Sequence, residues 1–388
     1  MIATNPLEII VIGAGLIGPR HAEHVKKHPV AHLFGIIDPN PAAAEIASNL
    51  DTDYFPSISD LVQFCKTNEL NLPDGAIVCT PNHTHVVISA ELASYGIHLL
   101  VEKPLSSTPE QLAAIRDYAE SKNVKLLVGH HRRFNPFIVE TKKNIDKVGQ
   151  LIALQGSWAL KKPEDYFIKG LWRTDAKTGG GSLLINLVHD VDVLQYLIGP
   201  IERVYAEVLD KQRDHYPNAD EGAVLTLRFK NGCCGTFICS DNVTSPFNFE
   251  SGTGENPLIP FHDQLEGVYR IFGSKGTLSV PDLNLYHQPL EKEPSWNCPV
   301  ERTPLVDNRF ETLFSNMPFD LQLDHFVDVI RGKQEPSCSA NDGMAALLCI
   351  EAIIKSIDTG LPQLVKQVDD IKPDFSCLGL EKLKNGSA

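Results

Sequence analysis

"IIVIGAGLIGPRH", residues Ile9–His21, decides the fold. Four apolar residues, Ile9–Ile12, read as a buried strand, and Gly13-x-Gly15-x-x-Gly18 follows at once. A helical stretch comes next, so strand, glycine turn and helix stand in the order a dinucleotide-binding unit requires. Gly13 permits the tight turn. Gly15 lets a pyrophosphate approach the backbone, beside Leu16, Ile17 and Gly18, and rest on the helix N-terminus. Asp38 lies 20 residues after Gly18, where a second apolar run ends. A carboxylate there can accept hydrogen bonds from ribose hydroxyls and would repel a 2′-phosphate. Pro39 and Asn40 offer no compensating cation, so NAD is expected and NADP disfavoured. The competing role for Asp38 is a cap for the helix begun by Pro39-Asn40-Pro41.

The same grammar continues to about residue 129. Apolar runs recur at Leu33–Ile37, Ala76–Cys79, Leu99–Val101 and Lys125–Val128, separated by amphipathic stretches such as Pro41–Leu50, Val86–Tyr95 and Pro109–Lys122. Near-continuous apolar strands alternating with helices predict a parallel sheet covered on both faces. Residues 1–129 are therefore expected to form an NAD-binding Rossmann domain.

Beyond Gly129 the pattern changes. Phe134–Ile145 reads as helical, Leu151–Leu160 as extended, and Gly179–Ile198 as one long helix. Ala223–Lys230 and Cys233–Ser240 flank Asn231-Gly232, a strong hairpin signal. Val268–Phe272 and Thr277–Val280 flank a second turn. Phe319–Ile330 and Asn341–Ser356 read as late helices, while Asn242–Gln264 and Pro289–Asn308 read as long loops. Residues 130–388 are expected to form an α/β domain with an open, mostly antiparallel sheet.

Bulk properties bound the reading. The chain has 388 residues, 43% hydrophobic and 22% charged, with a net charge of -14. An acidic surface without a basic patch argues against nucleic acid and anionic membranes. The nine cysteines contain no C-x-x-C pair, which fits reduced thiols and a cytoplasmic location. No leader-like or transmembrane segment is read. His21, His24 and His28 have a spacing that could suit a metal. No carboxylate or thiol stands at a suitable offset, so no metal is expected and that helix face is read as solvated.

Two polar groups carry the candidate chemistry. Glu102-Lys103-Pro104 ends the run Leu99–Val101, and Thr80-Pro81-Asn82 ends the run Ala76–Cys79. Strand carboxyl ends form the ligand crevice of an open parallel sheet. A cation at Lys103 can stabilise an alkoxide developing on a substrate oxygen; the bland alternative is a surface lysine. In the second half, Asn186 and His189 are i, i+3 neighbours on the helix after Gly179–Gly181. Histidine suits proton transfer near neutrality. The alternative there is a solvated face with a chance histidine.

Together these pieces resemble the Gfo/Idh/MocA family, the glucose–fructose oxidoreductase and inositol dehydrogenase group. The glycine unit, Thr80-Pro81-Asn82 with His85, Glu102-Lys103-Pro104, Arg133-Phe134-Asn135-Pro136, Trp172-Arg173 and Gly179–Asp192 occur in the family's order. The resemblance implies NAD(P)-dependent oxidation or reduction of a sugar, polyol or related hydroxyl compound. It implies that Lys103 holds the substrate oxygen and that His189 is the general acid/base. It also implies substrate or cofactor contacts from Arg133, Trp172, Arg173 and Asn186, and a homodimer or homotetramer through the C-terminal sheet. One departure stands out. Many members carry an Asp four residues before the histidine, where this chain has Ile185. Asp190 and Asp192 flank His189 but point away from the Asn186–His189 direction. Two other readings share these residues: an NAD-assisted glycoside hydrolase and a non-catalytic dinucleotide-binding regulator. Phe167, Trp172 and Tyr286 could stack on a sugar face and Lys169 and Arg173 could bind a carboxylate or phosphate, so neutral and acidic sugars both stay open, with the acidic stretch Asp241–Asp263 tilting slightly to neutral ones.

Overall fold

A computed structural model describes residues 6–289, 291–307, 313 and 318–379. The described chain forms two compact units. The first runs to His131 and also takes in Phe319–Met344 and the residues from Val368 onward. The second comprises Arg132–Pro318 and Ala345–Gln367. The second unit is thus not one continuous run from residue 130.

In the first unit, six strands stand in the order β3-β2-β1-β4-β5-β6. They are β1 (Leu7–Ile12), β2 (Ala31–Ile37), β3 (Asp53–Phe55), β4 (Gly75–Val78), β5 (His98–Val101) and β6 (Leu126–Val128). Every neighbouring pair is parallel. This is the doubly wound order in which the chain reverses direction between β1 and β4, opening a crevice at the strand carboxyl ends. Strand β3 escaped the sequence reading because it has three residues and only Phe55 is buried. Two of the intervening helices, Ile58–Thr67 and Pro109–Ser121, are begun by their own caps. Ser57 accepts from Asp60 N–H and Thr108 from Gln111 N–H, which satisfies donors at each helix start. Ile9, Val11, Ile77 and Leu100 share a buried cluster with Phe326 and Val327 of the helix Pro318–Ile330. That helix lies so close that a Cβ on Gly75 would be 2.8 Å from Ile330 Cδ1.

The second unit carries a nine-stranded sheet, in the order β14-β13-β12-β11-β7-β10-β9-β8-β15. Its strands are β7 (Leu151–Ala159), β8 (Ile201–Val208), β9 (Gly222–Phe229), β10 (Cys234–Ser240), β11 (Tyr269–Gly273), β12 (Gly276–Val280), β13 (Asn284–His287), β14 (Glu301–Pro304) and β15 (Gln363–Leu364). All pairs are antiparallel except β7 with β10. Both hairpins read from the sequence form, as β9–β10 and β11–β12. On β9, Ala223, Leu225, Leu227 and Phe229 are buried while Val224, Thr226 and Arg228 are exposed. That period of two gives the sheet one covered and one open face. The stretch 242–264, expected as loop, contains a short helix, Phe249–Thr253. Strand β14 likewise lies inside the stretch expected as loop at 289–308, of which residues 290 and 308 fall outside the described residues.

The nine cysteines are free thiols. Among the described residues, no helix is long and apolar enough to cross a membrane.

Candidate functional site

The glycine loop between β1 and the helix Gly18–Lys27 comes first. Gly13 has φ +95°, and a Cβ there would lie 2.8 Å from the Cys79 carbonyl oxygen. A Cβ on Gly18 would lie 1.8 Å from the Gly13 oxygen. Both glycines therefore close the turn. Gly15 differs, because a Cβ there would meet nothing within 4 Å. Its side-chain direction opens onto free space beside an exposed backbone, the cradle a pyrophosphate needs. Leu16, on the rim, is 90% exposed. Asp38 sits at the end of β2, and its two oxygens take different partners. Oδ2 accepts from Ala14 N–H at 2.7 Å and Oδ1 from Asn40 N–H at 2.8 Å. The carboxylate thus ties the glycine loop to β2 and shapes the turn before the next helix. It remains part-exposed, with lone pairs left for ribose hydroxyls. These residues fit a dinucleotide.

The ends of β4 and β5 are braced to each other. His85 is buried, with Nε2 2.7 Å from the Thr80 carbonyl oxygen and Nδ1 2.9 Å from that of Pro104. Burial lowers its pKa against the pull of those carbonyls. His85 therefore sits between the Thr80-Pro81-Asn82 turn and the Glu102-Lys103-Pro104 turn, and its single N–H, when the ring is neutral, donates to one of the two carbonyls. Glu102 Oε1 lies 2.9 Å from His21 Nε2, and Oε2 accepts from Lys103 N–H at 3.2 Å. Burial pushes this carboxyl up. The hydrogen bond from His21 and the charges of His21, His131 and Lys103 outweigh it and hold the pKa at about 2. Lys103 is half-buried and precedes a cis peptide to Pro104.

The solvated reading of the histidine face is corrected here. His21 is buried on Glu102, while His24 and His28 pair with Asp320 and Asp324 of the helix Pro318–Ile330. Those partners lie about 300 positions along the chain, beyond the reach of any local spacing argument. Among the described residues, no group of His, Cys, Asp and Glu could hold a metal.

In the second unit, the helix expected over Gly179–Ile198 is not regular. Leu183–Leu187 form a π turn, and the α-helix proper is Val188–Ile198. An inserted π turn shifts the phase of side chains ahead of it, so the stripes drawn at 100° per residue do not carry across. Its start is anchored by Asp220, whose Oδ1 accepts from Leu183 N–H at 3.1 Å. Burial raises the Asp220 carboxyl to about 6. A Cβ on Gly180 would be 2.6 Å from the Trp172 and Arg173 carbonyl oxygens, so the glycines let two backbones touch.

His189 is buried at the start of the α-helix. Its acidic neighbours face other groups. Asp192 takes both arms of Arg133, Nε at 2.9 Å and NH2 at 2.7 Å. Arg133, expected to contact substrate, is itself buried, and that fork engages the fold. Asp190 accepts from the Tyr269 hydroxyl and lies 3.3 Å from Arg132. Arg132 also binds Glu250 at 2.7 Å and Glu255 at 3.2 Å, and Trp158 Nε1–H donates to Glu250 at 2.8 Å. One guanidinium among three buried carboxylates leaves excess negative charge. Burial, reinforced by Glu250 and Glu255, raises Asp190 to about 7 although Arg132 and the Tyr269 hydroxyl oppose it.

One group was missed by the sequence reading. Lys162, just past β7, is only 8% exposed at its side chain. Its Nζ donates to Asn186 Oδ1 at 2.6 Å, lies 3.4 Å from Asp241, and sits 4.5 Å from the Tyr166 ring centre. Asp241 and Glu221 also hold Arg213. The only signal for Lys162 was a lysine directly after a strand, which usually means a solvated end.

Residues 7–130 match the family model GFO_IDH_MocA, described as "Oxidoreductase family, NAD-binding Rossmann fold". Residues 142–363 match its companion, "Oxidoreductase family, C-terminal alpha/beta domain". The chain is similar to inositol 2-dehydrogenase of Rhizobium meliloti, at 24% identity over 89% of this chain and 96% of that one. It is similar to scyllo-inositol 2-dehydrogenase (NAD(+)) of Bacillus subtilis, at 26% identity over 91% and 94%. In fold it resembles the WlbA dehydrogenase of Bordetella pertussis, solved with NADH and UDP-GlcNAcA. That match has a TM-score of 0.72 and 24% identity, covering 93% of this chain and 99% of that one.

Proposed function

Because the chain belongs to the Gfo/Idh/MocA oxidoreductase family, we propose that it is an NAD-dependent dehydrogenase acting on a CH–OH group of a sugar, polyol or related compound. Two of its relatives are named for inositol substrates. The observation that carries the reading is the Glu102-Lys103-Pro104 turn, pinned through Glu102 and His85 at the carboxyl edge of a sheet with an open glycine cradle.

NAD, when bound, supplies the hydride-transfer chemistry. Gly13, Gly15, Leu16, Ile17 and Gly18 would cradle its pyrophosphate and Asp38 its ribose, with Thr80, Pro81, Asn82 and Glu102 along the strand ends. His85 serves by bracing that edge. Lys103 holds the substrate oxygen and stabilises the negative charge that develops on it. His189 takes the hydroxyl proton, and in the reverse direction returns it. Arg133 acts by orienting the segment that bears His189, through Asp192, while Trp172, Arg173 and Asn186 contact the substrate. The chain self-associates through the open face of the nine-stranded sheet, where Ile152, Val208, Val224 and Ile238 are exposed.

A screen for NADH formation across polyols, aldoses and sugar acids tests the reading. Steady NADH production with at least one of them is expected. Tightly held NAD with no net turnover would instead favour a transient-oxidation hydrolase.

A further inference from the structure

The second unit carries an arrangement that bears on which hydroxyl compound is bound, and the inference rests on the dehydrogenase reading. An ammonium group only donates hydrogen bonds. The atom of Asn186 that faces Lys162 Nζ at 2.6 Å must therefore be Oδ1. The amide is fixed in one of its two flips, and Nδ2 is turned the other way. Asn186 is half-buried, and its Nδ2 bonds to none of the described residues. Asn186 thus presents a donor.

Arg173 is the independent observation. Among the described residues it has no carboxylate partner. Its NH1 donates to the Tyr166 carbonyl, and its Cζ lies 4.1 Å from the Tyr166 ring centre and 5.5 Å from that of Trp172. Its Nε is buried and has no acceptor among the described residues. A buried charged donor left open calls for an acceptor. A Cβ at Gly170 would come within 3.1 Å of Arg173 Cζ, so the glycine leaves the guanidinium its place. Lys162 Nζ and Arg173 Cζ both lie against the Tyr166 ring, 4.5 and 4.1 Å from its centre, so that ring neighbours both the cation and the lysine that fixes the amide.

The acidic stretch does not oppose an anion here. Asp241 is held by Arg213 and Lys162. Glu221 accepts from the backbone N–H groups of Gln212 and Arg213 and from Asn242 Nδ2. Glu250 and Glu255 belong to Arg132. The tilt towards a neutral sugar drawn from Asp241–Asp263 is therefore reversed.

We infer that the substrate carries a carboxylate, which Arg173 meets as a cation and Asn186 as a hydrogen-bond donor, with Lys162 as the positioning residue that fixes the Asn186 amide.

Calorimetric titration of the full chain in saturating NAD, with D-glucuronate and D-glucose as probes, tests this. The two sugars differ at C6, carboxylate against hydroxymethyl. The wild type should bind glucuronate at least tenfold more tightly. Asn186→Asp, which replaces the donor by an anion, should cut that ratio about tenfold or more. Lys162→Met, which frees the amide to rotate, should cut it several-fold, and Lys162→Arg should restore most of it. The ratio guards against mere misfolding, which weakens both sugars alike. A wild type that binds neither sugar or shows no preference, or an Asn186→Asp variant that keeps the preference, overturns the inference. If no alcohol yields NADH while the ratios behave as expected, the dehydrogenase reading fails and the carboxylate site stands.

Discussion

His21 Nε2 lies 2.9 Å from Glu102 Oε1, joining the first helix of the nucleotide-binding sheet to the end of β5. The pair sits directly beside Lys103, whose backbone N–H donates to the other oxygen of Glu102. A carboxylate so nearly buried persists only because these partners favour its charged form. It holds the turn that presents the lysine.

The pair has a pH signature. The Glu102 pKa in the fold, about 2, is below its ordinary value. Its contribution to stability is therefore fully present above the ordinary carboxylate value, and is lost as pH falls from about 4.5 towards 2. By linkage the contribution is on the order of 3 kcal/mol. Glu102→Gln should show a flatter dependence of the urea midpoint on pH between about 5 and 2 than the wild type. Equal slopes would remove Glu102 from this role.

The glycines of the first loop should separate by substitution. Gly18→Ala places a Cβ 1.8 Å from the Gly13 oxygen and should lower the melting temperature sharply. Gly15→Ala meets open space and should leave that temperature nearly unchanged. It should nevertheless weaken NAD binding by roughly tenfold or more, because the added methyl occupies the cradle. Undiminished NAD affinity in Gly15→Ala would place the pyrophosphate elsewhere.

Asp38→Ala removes the acceptor for the Ala14 and Asn40 N–H groups as well as the proposed ribose contact. NAD affinity should fall by about tenfold to a hundredfold, the cost of a charged hydrogen bond. The preference over NADP should narrow at the same time. The measurement is the ratio of dissociation constants for the two cofactors. A ratio equal to that of the wild type would leave Asp38 with the loop contacts alone.

Much of this was legible because the signals were local. The glycine spacing, the apolar runs and Asn231-Gly232 each depend on neighbours within a few residues, and each maps onto β1, the parallel sheet and the β9–β10 hairpin. What stayed hidden was long-range. The acids that pair with His24 and His28 come from the helix Pro318–Ile330, and Lys162 meets Asn186 only when the chain is folded. The π turn Leu183–Leu187 escaped for another reason. Its composition is that of an ordinary apolar helix, and the extra residue per turn is imposed by packing, with Ser182 against Cys239 and Leu183 N–H on Asp220.

The central claim is that the Lys103 ammonium stabilises charge on the substrate oxygen, and Lys103→Ala tests it most directly. With the best substrate from the screen, turnover should fall by about 100- to 1000-fold, the usual cost of losing one such donor. NADH affinity, followed by fluorescence titration, should stay within a few-fold of the wild type. Wild-type turnover in Lys103→Ala, or loss of NADH binding with turnover intact at saturating cofactor, would contradict the account.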